Sequence, residues 1–397
     1  AVAEVAEVAE VAKLEVAEEE AAVEVRSWYD SGLRLVKARS GEVGFRVLVG
    51  GGQGRTPRVA QQLTPFLPKK NLLSYLEAIL RVYNVAGKRD NIYKVRLKIL
   101  VEAMGIEAFS DAVNMEWVGI RDSVVELPLE EFERIQRHFA RDTLPPADLT
   151  SEILEAYCGK GHAFERWMRH NVLPHYDPGY ANVCISIKAL GRPPGDASAS
   201  EMERIADLAD RYGMGEIRFT YSQNVVIPHV RRDQLIRVFE GLGDIGLNGG
   251  ENGLIGDMIV CPGLDYCNLA NARSLPLADR IFQHFADAGL RDEIGKIRLN
   301  ISGCINACGH HHAADIGILG VNKKGVENYQ ISLGGRAGED AAVGRILGPS
   351  FDEHRVPDAV AAIVGLYLHR RKPDETFGDA VVRLGVDVFK RELYAAA

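Results

Sequence analysis

The 397-residue sequence has no uninterrupted apolar run of about 18 residues, the length a membrane-spanning helix needs, so no membrane association is expected. Its N-terminus lacks the positively charged start and apolar block of a signal peptide, which makes the cytoplasm the expected location. An excess of positive charge is also missing. Lys and Arg number 47 against 55 Asp and Glu, and the net charge of −8 argues against general nucleic-acid binding while leaving room for a local basic patch facing an anionic ligand. No flavin or nicotinamide fingerprint is present, because the glycine run GGGQG at 50–54 is not followed by the helix and acidic residue of a dinucleotide site. Cysteine is scarce. The six are Cys158, Cys184, Cys261, Cys267, Cys304 and Cys308, and their close pairs in a chain of cytosolic character point to metal or catalysis rather than disulfides.

What is present is an ordinary globular composition, 46% hydrophobic, enough to bury the cores of two or three domains. Residues 1–25 repeat Val-Ala-Glu, which forms no constant stripe on a helix and predicts a frayed helix or disordered tail. GFRVLVGGGQGRTP (44–57) predicts a short strand entering a glycine-rich turn. PKKNLLSYLEAILRVYNVAG (68–87) has helical spacing with a glycine stop, a second helical run is expected around 90–104, and helices and loops over 106–176. From 179 the pattern changes to strand ANVCISIKALG, a helix opened by a capping box of Ser200 and Glu203, strands EIRFTY and NVVIPHV joined by a tight turn, and a second helix. This βαββα order predicts a ferredoxin-like half-domain. Beyond it, strands are expected at IRLNI and DIGILGV, and helices around 357–369 and 379–394.

Chemistry concentrates in CPGLDYC (261–267) and NISGCINACGHHHAADIGILG (300–320). Four thiolates from two loop pairs can hold zinc or an iron–sulfur cluster. Structural zinc prefers two to four residues between paired ligands, and the five between Cys261 and Cys267 are wide for it. A cubane cluster accepts wider, uneven spacing. Cys184 lies within an alternating strand and is expected in a core, like Cys158. His310, His311 and His312 are consecutive and cannot all face one site, so polar packing near the centre is expected rather than direct ligation.

These cysteine loops resemble the signature of the siroheme-dependent sulfite and nitrite reductases, in particular the bacterial ferredoxin-type sulfite reductases. The likeness continues through CNLANARS (267–274), KKGVENYQISLGG (323–335), VGRILGPSF (343–351), GFRVLVGGGQGRTP, ILRVYN and KRDNIYKVRLKILV, and so covers most of residues 30–395. It implies an α+β fold: a ferredoxin-like half-domain with siroheme- and [4Fe-4S]-binding α/β lobes. The expected divisions are a tail at 1–27, a partial first siroheme-facing lobe at 28–160, the half-domain at 161–248 and a second lobe with the metal site at 249–397. It further implies that Cys261, Cys267, Cys304 and Cys308 hold a [4Fe-4S] cluster and that the sulfur of Cys308 bridges to the siroheme iron. Such a centre would reduce sulfite to sulfide, or nitrite to ammonia, with six electrons from ferredoxin or a similar carrier, the cofactors supplying the chemistry.

An acidic chain that binds a polycarboxylate macrocycle and an anionic substrate needs local cations. Arg96 and Lys98 are the candidate catalytic residues. Arg55, Arg218, Thr220, Gln223 and Asn224 are candidate cofactor contacts, the last four matching a pocket-lining family segment, RFTYSQN. HRRKP (369–373) is a candidate docking patch for an acidic carrier. The sequence departs from the family pattern in showing one half-domain, with the Val-Ala-Glu tail where another is expected. A precorrin-3B synthase-like activity, or a cluster- or zinc-binding module without catalysis, are the alternatives. Oligomeric state has no sequence signal.

Overall fold

The computed structural model describes residues 26–122, 128–139, 144–147 and 161–394; the Val-Ala-Glu tail and Cys158 lie outside them. The chain forms two compact units, one built from the residues up to Asp142 with Arg336–Val343, the other from Thr143–Gly335 and Gly344 onward. Helices and sheets are mixed in both, as the α+β expectation requires.

The first unit carries an antiparallel sheet, β1 (Ser31–Lys37), β2 (Val43–Val49) and β3 (Gln61–Pro68), in that order. Against it pack α1 (Leu72–Ala86), α2 (Leu97–Met104) and α3 (Ile106–Ile120), with Val47, Val49, Tyr75, Ile79, Val101, Phe109 and Val113 in the core. A further helix, α4 (Leu129–His138), has no buried residue. The expected run from 90 is shorter than its apolar pattern. Arg96 is extended at φ −73, ψ 149, so the helix starts only at Leu97, after a separate single turn at Ile92–Lys94. Arg34 and Arg46 stand directly opposite on β1 and β2. Like charges in that position repel. Glu339, on the returning segment 336–343, ion-pairs with both and offsets the repulsion.

The second unit begins with α5 (His162–Asn171) and a four-stranded sheet of β4 (Val172–Leu173), β5 (Tyr180–Ser186), β6 (Arg218–Phe219) and β7 (Asn224–Arg231), ordered β4-β5-β7-β6. With α6 (Ala199–Tyr212) and α7 (Leu235–Gly243), its β5-α6-β6-β7-α7 succession is the expected ferredoxin-like half-domain. The capping box is corrected: Ser198, not Ser200, accepts the Glu201 N–H, and Glu201 Oε2 accepts the Ser198 N–H at 2.8 Å. Both serines satisfy the S-x-x-E pattern, and the helix begins at the earlier one.

Next come β8 (Ile259–Val260), α8 (Leu275–His284), α9 (Ala288–Ile294), β9 (Leu299–Ser302), β10 (Ile316–Lys323), β11 (Val326–Leu333) and β12 (Arg345–Ile346), then α10 (Val356–Arg370), α11 (Phe377–Leu384) and α12 (Val386–Tyr394). The five strands form one sheet, ordered β12-β11-β10-β9-β8, in which β9 runs parallel to both neighbours. A buried ionic network ties the half-domain to the lobe built on this sheet. Arg166 on α5 pairs with Asp292 at 2.9 Å and Glu251 at 3.1 Å, and Arg291 donates to Glu251 at 2.8 Å.

The two units repeat one plan. The single turn Arg26–Trp28, the hairpin β1–β2, the pair Gly50–Gly51, the third strand β3 and the helices α1–α3 recur as His311–Ala313, β10–β11, Gly334–Gly335, the shorter β12 and α10–α12. Gly50 at φ 81 and Gly334 at φ 78 both leave the hairpin in a left-handed conformation. Their N–H groups donate to Asp30 O at 2.9 Å and Asp315 O at 3.2 Å. Among the described residues, no helix is long and apolar enough to cross a membrane.

Ser198→Ala should lower unfolding stability by about 1 kcal/mol, whereas Ser200→Ala should leave it within a few tenths. Urea midpoints of the two variants measure the difference.

Candidate metal centre

Cys261 follows β8 directly, and Cys304 lies two residues beyond β9. Because these strands are parallel neighbours, with Ile259 opposite Asn300 and Val260 opposite Ile301, both strands lead out at the same end of the sheet. The Cys261 N–H donates to Ile301 O at 3.1 Å, and the Gly303 N–H reaches Cys261 Sγ at 3.0 Å. Cys267 closes a single turn, donating to Gly263 O at 2.9 Å. A parallel connection needs about a dozen residues to cross back. Here residues 303–315 make the crossover from β9 to β10, and they are the cysteine–histidine motif itself. The tight path puts two non-glycine residues, Ala307 at φ 60 and His310 at φ 54, in the left-handed region, where strain is stored. It also requires glycine at 309, where a Cβ would lie 2.1 Å from Ile301 O.

The four thiols form one electrostatic group. Partial desolvation raises the Cys308 thiol above its ordinary value, and Cys261, Cys304 and Cys267 push it further the same way. Four thiolates gathered so repel one another unless a cationic centre lies between them. Cys261 and Cys304 are buried, Cys267 is half-buried and Cys308 is exposed. Among the described residues, no three His, Cys, Asp or Glu side chains close on the single point that one metal ion occupies. An all-sulfur set of four, in two pairs of uneven spacing, is the donor chemistry that an iron–sulfur cluster takes. Cys184 is remote in role: it lies buried on β5, its Sγ 3.3 Å from Asn252 Oδ1, and burial pushes its thiol up to about 12.

The three histidines occupy different settings. His310 begins the short turn His311–Ala313, and His311 and His312 stack tilted at 3.9 Å. His311 is 2% exposed, and neither ring nitrogen finds a hydrogen-bond partner among the described residues. Burial, with its two neighbouring imidazoles, pulls its pKa from 6.5 to about 3.

The other predicted residues occupy varied settings. In the first unit, Arg55 is exposed on the glycine-rich turn. Arg96 grips Asp30 at 2.7 Å and packs over Gly52, where a Cβ would lie 2.7 Å from its Nη2. Lys98 is buried, its ammonium donating to Gln53 O and Thr56 O, both at 2.7 Å, so it holds the glycine-rich turn in shape. Desolvation lowers its pKa, and Arg96 adds to that shift. In the second unit, Arg218 is exposed and paired with Glu216 at 2.5 Å. Thr220 shapes the turn between β6 and β7, its Oγ1 accepting from the Asn224 N–H at 3.1 Å. Gln223 and Asn224 reach the segment that ends in Cys261. The Gln223 amide pairs with Val260, and Asn224 Nδ2 donates to both oxygens of Asp257 at 3.1 Å.

Sequence reasoning missed Lys188, Asp257 and Ser274. Lys188 Nζ, buried, donates to Asp257 at 2.7 Å and Asn224 Oδ1 at 2.7 Å. Ser274 is fully buried with its Oγ 3.6 Å from Cys261 Sγ. A lysine closing the apolar strand pattern ANVCISIK was the signal for Lys188; none pointed to Ser274.

The His311 shift gives a signed expectation. Below pH 6.5 the unfolded chain takes up a proton that the folded chain refuses until about pH 3, so stability falls as pH drops through that window. His311→Phe should reduce the loss of urea stability between about pH 7 and about pH 5, and an unchanged loss would contradict the burial of a neutral imidazole.

The description "Nitrite and sulphite reductase 4Fe-4S domain" matches residues 16–120 and 255–396, and "Nitrite/Sulfite reductase ferredoxin-like half domain" matches 183–245. A chloroplastic ferredoxin–nitrite reductase of Betula pendula is 28% identical over 324 residues, covering 78% of this chain and 48% of that protein. Sulfite reductase (ferredoxin) 1 of Mycolicibacterium paratuberculosis is 26% identical, covering 86% of this chain and 56% of that one. The chain thus spans about half the length of the curated relatives it matches. The solved structure of the Mycobacterium tuberculosis NirA protein superposes with a TM-score of 0.69 at 24% identity, over 92% of this chain and 62% of that one, which establishes the likeness of fold. With the two repeats and the half-domain between them all accounted for, the chain belongs to the nitrite and sulphite reductase 4Fe-4S family.

Proposed function

We propose that this protein reduces sulfite or nitrite at a siroheme joined through Cys308 to a [4Fe-4S] cluster, with electrons from ferredoxin or a similar carrier. The observation that carries the reading is the set of four thiols delivered by two loops at one end of the sheet, of which Cys308 alone is exposed. A sulfur that would serve two cofactors has to be open to both, and Cys308 is the exposed member of the four. When bound, the cofactor pair stores electrons and passes them singly to an anion, chemistry that no side chain supplies.

The chain's own contribution is to hold and to shield. Cys261, Cys267 and Cys304 would hold the cluster, the buried Cys261 and Cys304 away from water, and the Gly303 N–H on Cys261 Sγ stabilises negative charge on that sulfur. Leu264, Tyr266, Leu269 and Ile305 stand exposed on the same two loops and offer apolar contact to a flat macrocycle. Arg55 and Arg96 are cations suited to macrocycle carboxylates or substrate; Lys98 would act chiefly by fixing the turn that bears Arg55. In this reading 28–160 and 249–397 are the two siroheme-facing lobes and 161–248 the half-domain, working in the cytoplasm, where thiols stay reduced. Relatives named for nitrite and for sulfite are about equally similar, so the preferred anion is left to measurement.

Anaerobic reconstitution with iron and sulfide should yield about four irons per chain, and siroheme should add macrocycle absorption bands. Cys261→Ser, Cys267→Ser or Cys304→Ser should each abolish stable iron binding. Cys308→Ser should remove the spectroscopic coupling between the two cofactors. Iron below about one per chain in the unaltered protein would end this reading. Turnover of sulfite and of nitrite with a reduced viologen dye then identifies the substrate.

A further inference from the structure

β8 is the outermost strand of its sheet, with β9 on one side only. An edge strand leaves alternate N–H and C=O groups without a ladder partner. In β8 those groups belong to Val260, the residue immediately before Cys261. Both are taken by one side chain from the half-domain: Gln223 Nε2 donates to Val260 O at 2.9 Å, and Gln223 Oε1 accepts the Val260 N–H at 2.9 Å. The amide replaces a missing neighbouring strand.

The half-domain is shaped to present that amide. Gln223 sits in the left-handed region at φ 60, a conformation costly to a residue with a Cβ. Its N–H donates to Thr220 O at 3.1 Å. Gly195 makes room, since a Cβ there would lie 2.9 Å from Gln223 Cβ. The neighbouring Asn224 anchors the same segment through Asp257, which also accepts from Lys188 and from the Gly253 N–H at 2.9 Å. Strain at Gln223 is tolerated because two hydrogen bonds and a buried ionic anchor are gained.

We propose that Gln223 is a positioning residue for the metal centre: by pairing with Val260 it fixes the exit of β8 and so aims the thiolate of Cys261. It thereby sets the first corner of the centre from the half-domain rather than from the lobe that carries the cysteines. The proposal rests on the cluster reading above, and its test separates the two.

Gln223→Met keeps the side chain's length and removes both hydrogen bonds. In metal-free, reduced protein, iodoacetamide labelling followed by peptide mass spectrometry should show Cys261 reacting about tenfold faster than in the unaltered protein, the scale of one to two lost neutral hydrogen bonds. Cys304, held by β9, should react at its original rate. In reconstituted protein the same variant should alter the electron paramagnetic resonance spectrum of the reduced cluster and lose iron to a chelator about tenfold faster. A folded Gln223→Met that labels Cys261 at the original rate overturns the proposal. Should that variant fail to fold, hydrogen exchange of the Val260 amide in the unaltered protein decides: protection supports the pairing, and free exchange overturns it. Absence of iron in the unaltered protein would defeat the cluster reading alone, because thiol labelling needs no metal.

Discussion

The parallel alignment of β8, β9 and β10 is the constraint on which the centre depends. Two adjacent strands leading out at one end of the sheet bring Cys261 and Cys304 together although more than forty residues separate them. The third strand obliges residues 303–315 to cross back in a short path. That path is why Ala307 and His310 take left-handed backbone and why glycine stands at 309. It is also why His311 ends buried: an imidazole on a connection pressed against the sheet has no route to water, and it stays neutral.

Four gathered sulfurs become mutually repulsive only as thiolates, and a cationic centre then offsets that repulsion. Partial desolvation, and after it the neighbouring sulfurs, push the Cys308 thiol upward, so the metal-free protein holds it as a thiol, and binding iron releases a proton. The surroundings resist distortion through two sets of buried polar and ionic contacts made by the half-domain. Arg166 and Arg291 converge on Glu251, and Lys188 and Asn224 converge on Asp257. Such groups are costly to bury, and removing one partner leaves the others uncompensated. Both networks border the segment 251–261, which makes that short stretch the joint between half-domain and metal lobe.

The repeated plan of the two units gives related frames different contents. The frame after β2 ends in a glycine-rich turn held by Lys98 and flanked by Arg96. Ahead of the corresponding hairpin in the second unit stands the cysteine–histidine crossover. One repeat therefore carries cations suited to anions, and the other carries sulfur suited to iron.

Chain order and chemical type were legible in the residues alone. The cysteine spacings pointed away from zinc, the βαββα succession marked the half-domain, and the apolar period within 68–87 marked helix α1 of the first unit, because each depends on local pattern. Ser198 and Ser200 carried equal local signals, and only packing chose between them. The exposure of Cys308, the isolation of His311 and the pairing of Gln223 with Val260 were beyond such reasoning. Each depends on which strand lies at an edge and what returns to cover it. Residue order therefore specified which atoms are able to bind, and folding settled which of them turn inward, since long-range strand pairing, not residue type, sets the direction in which a side chain points.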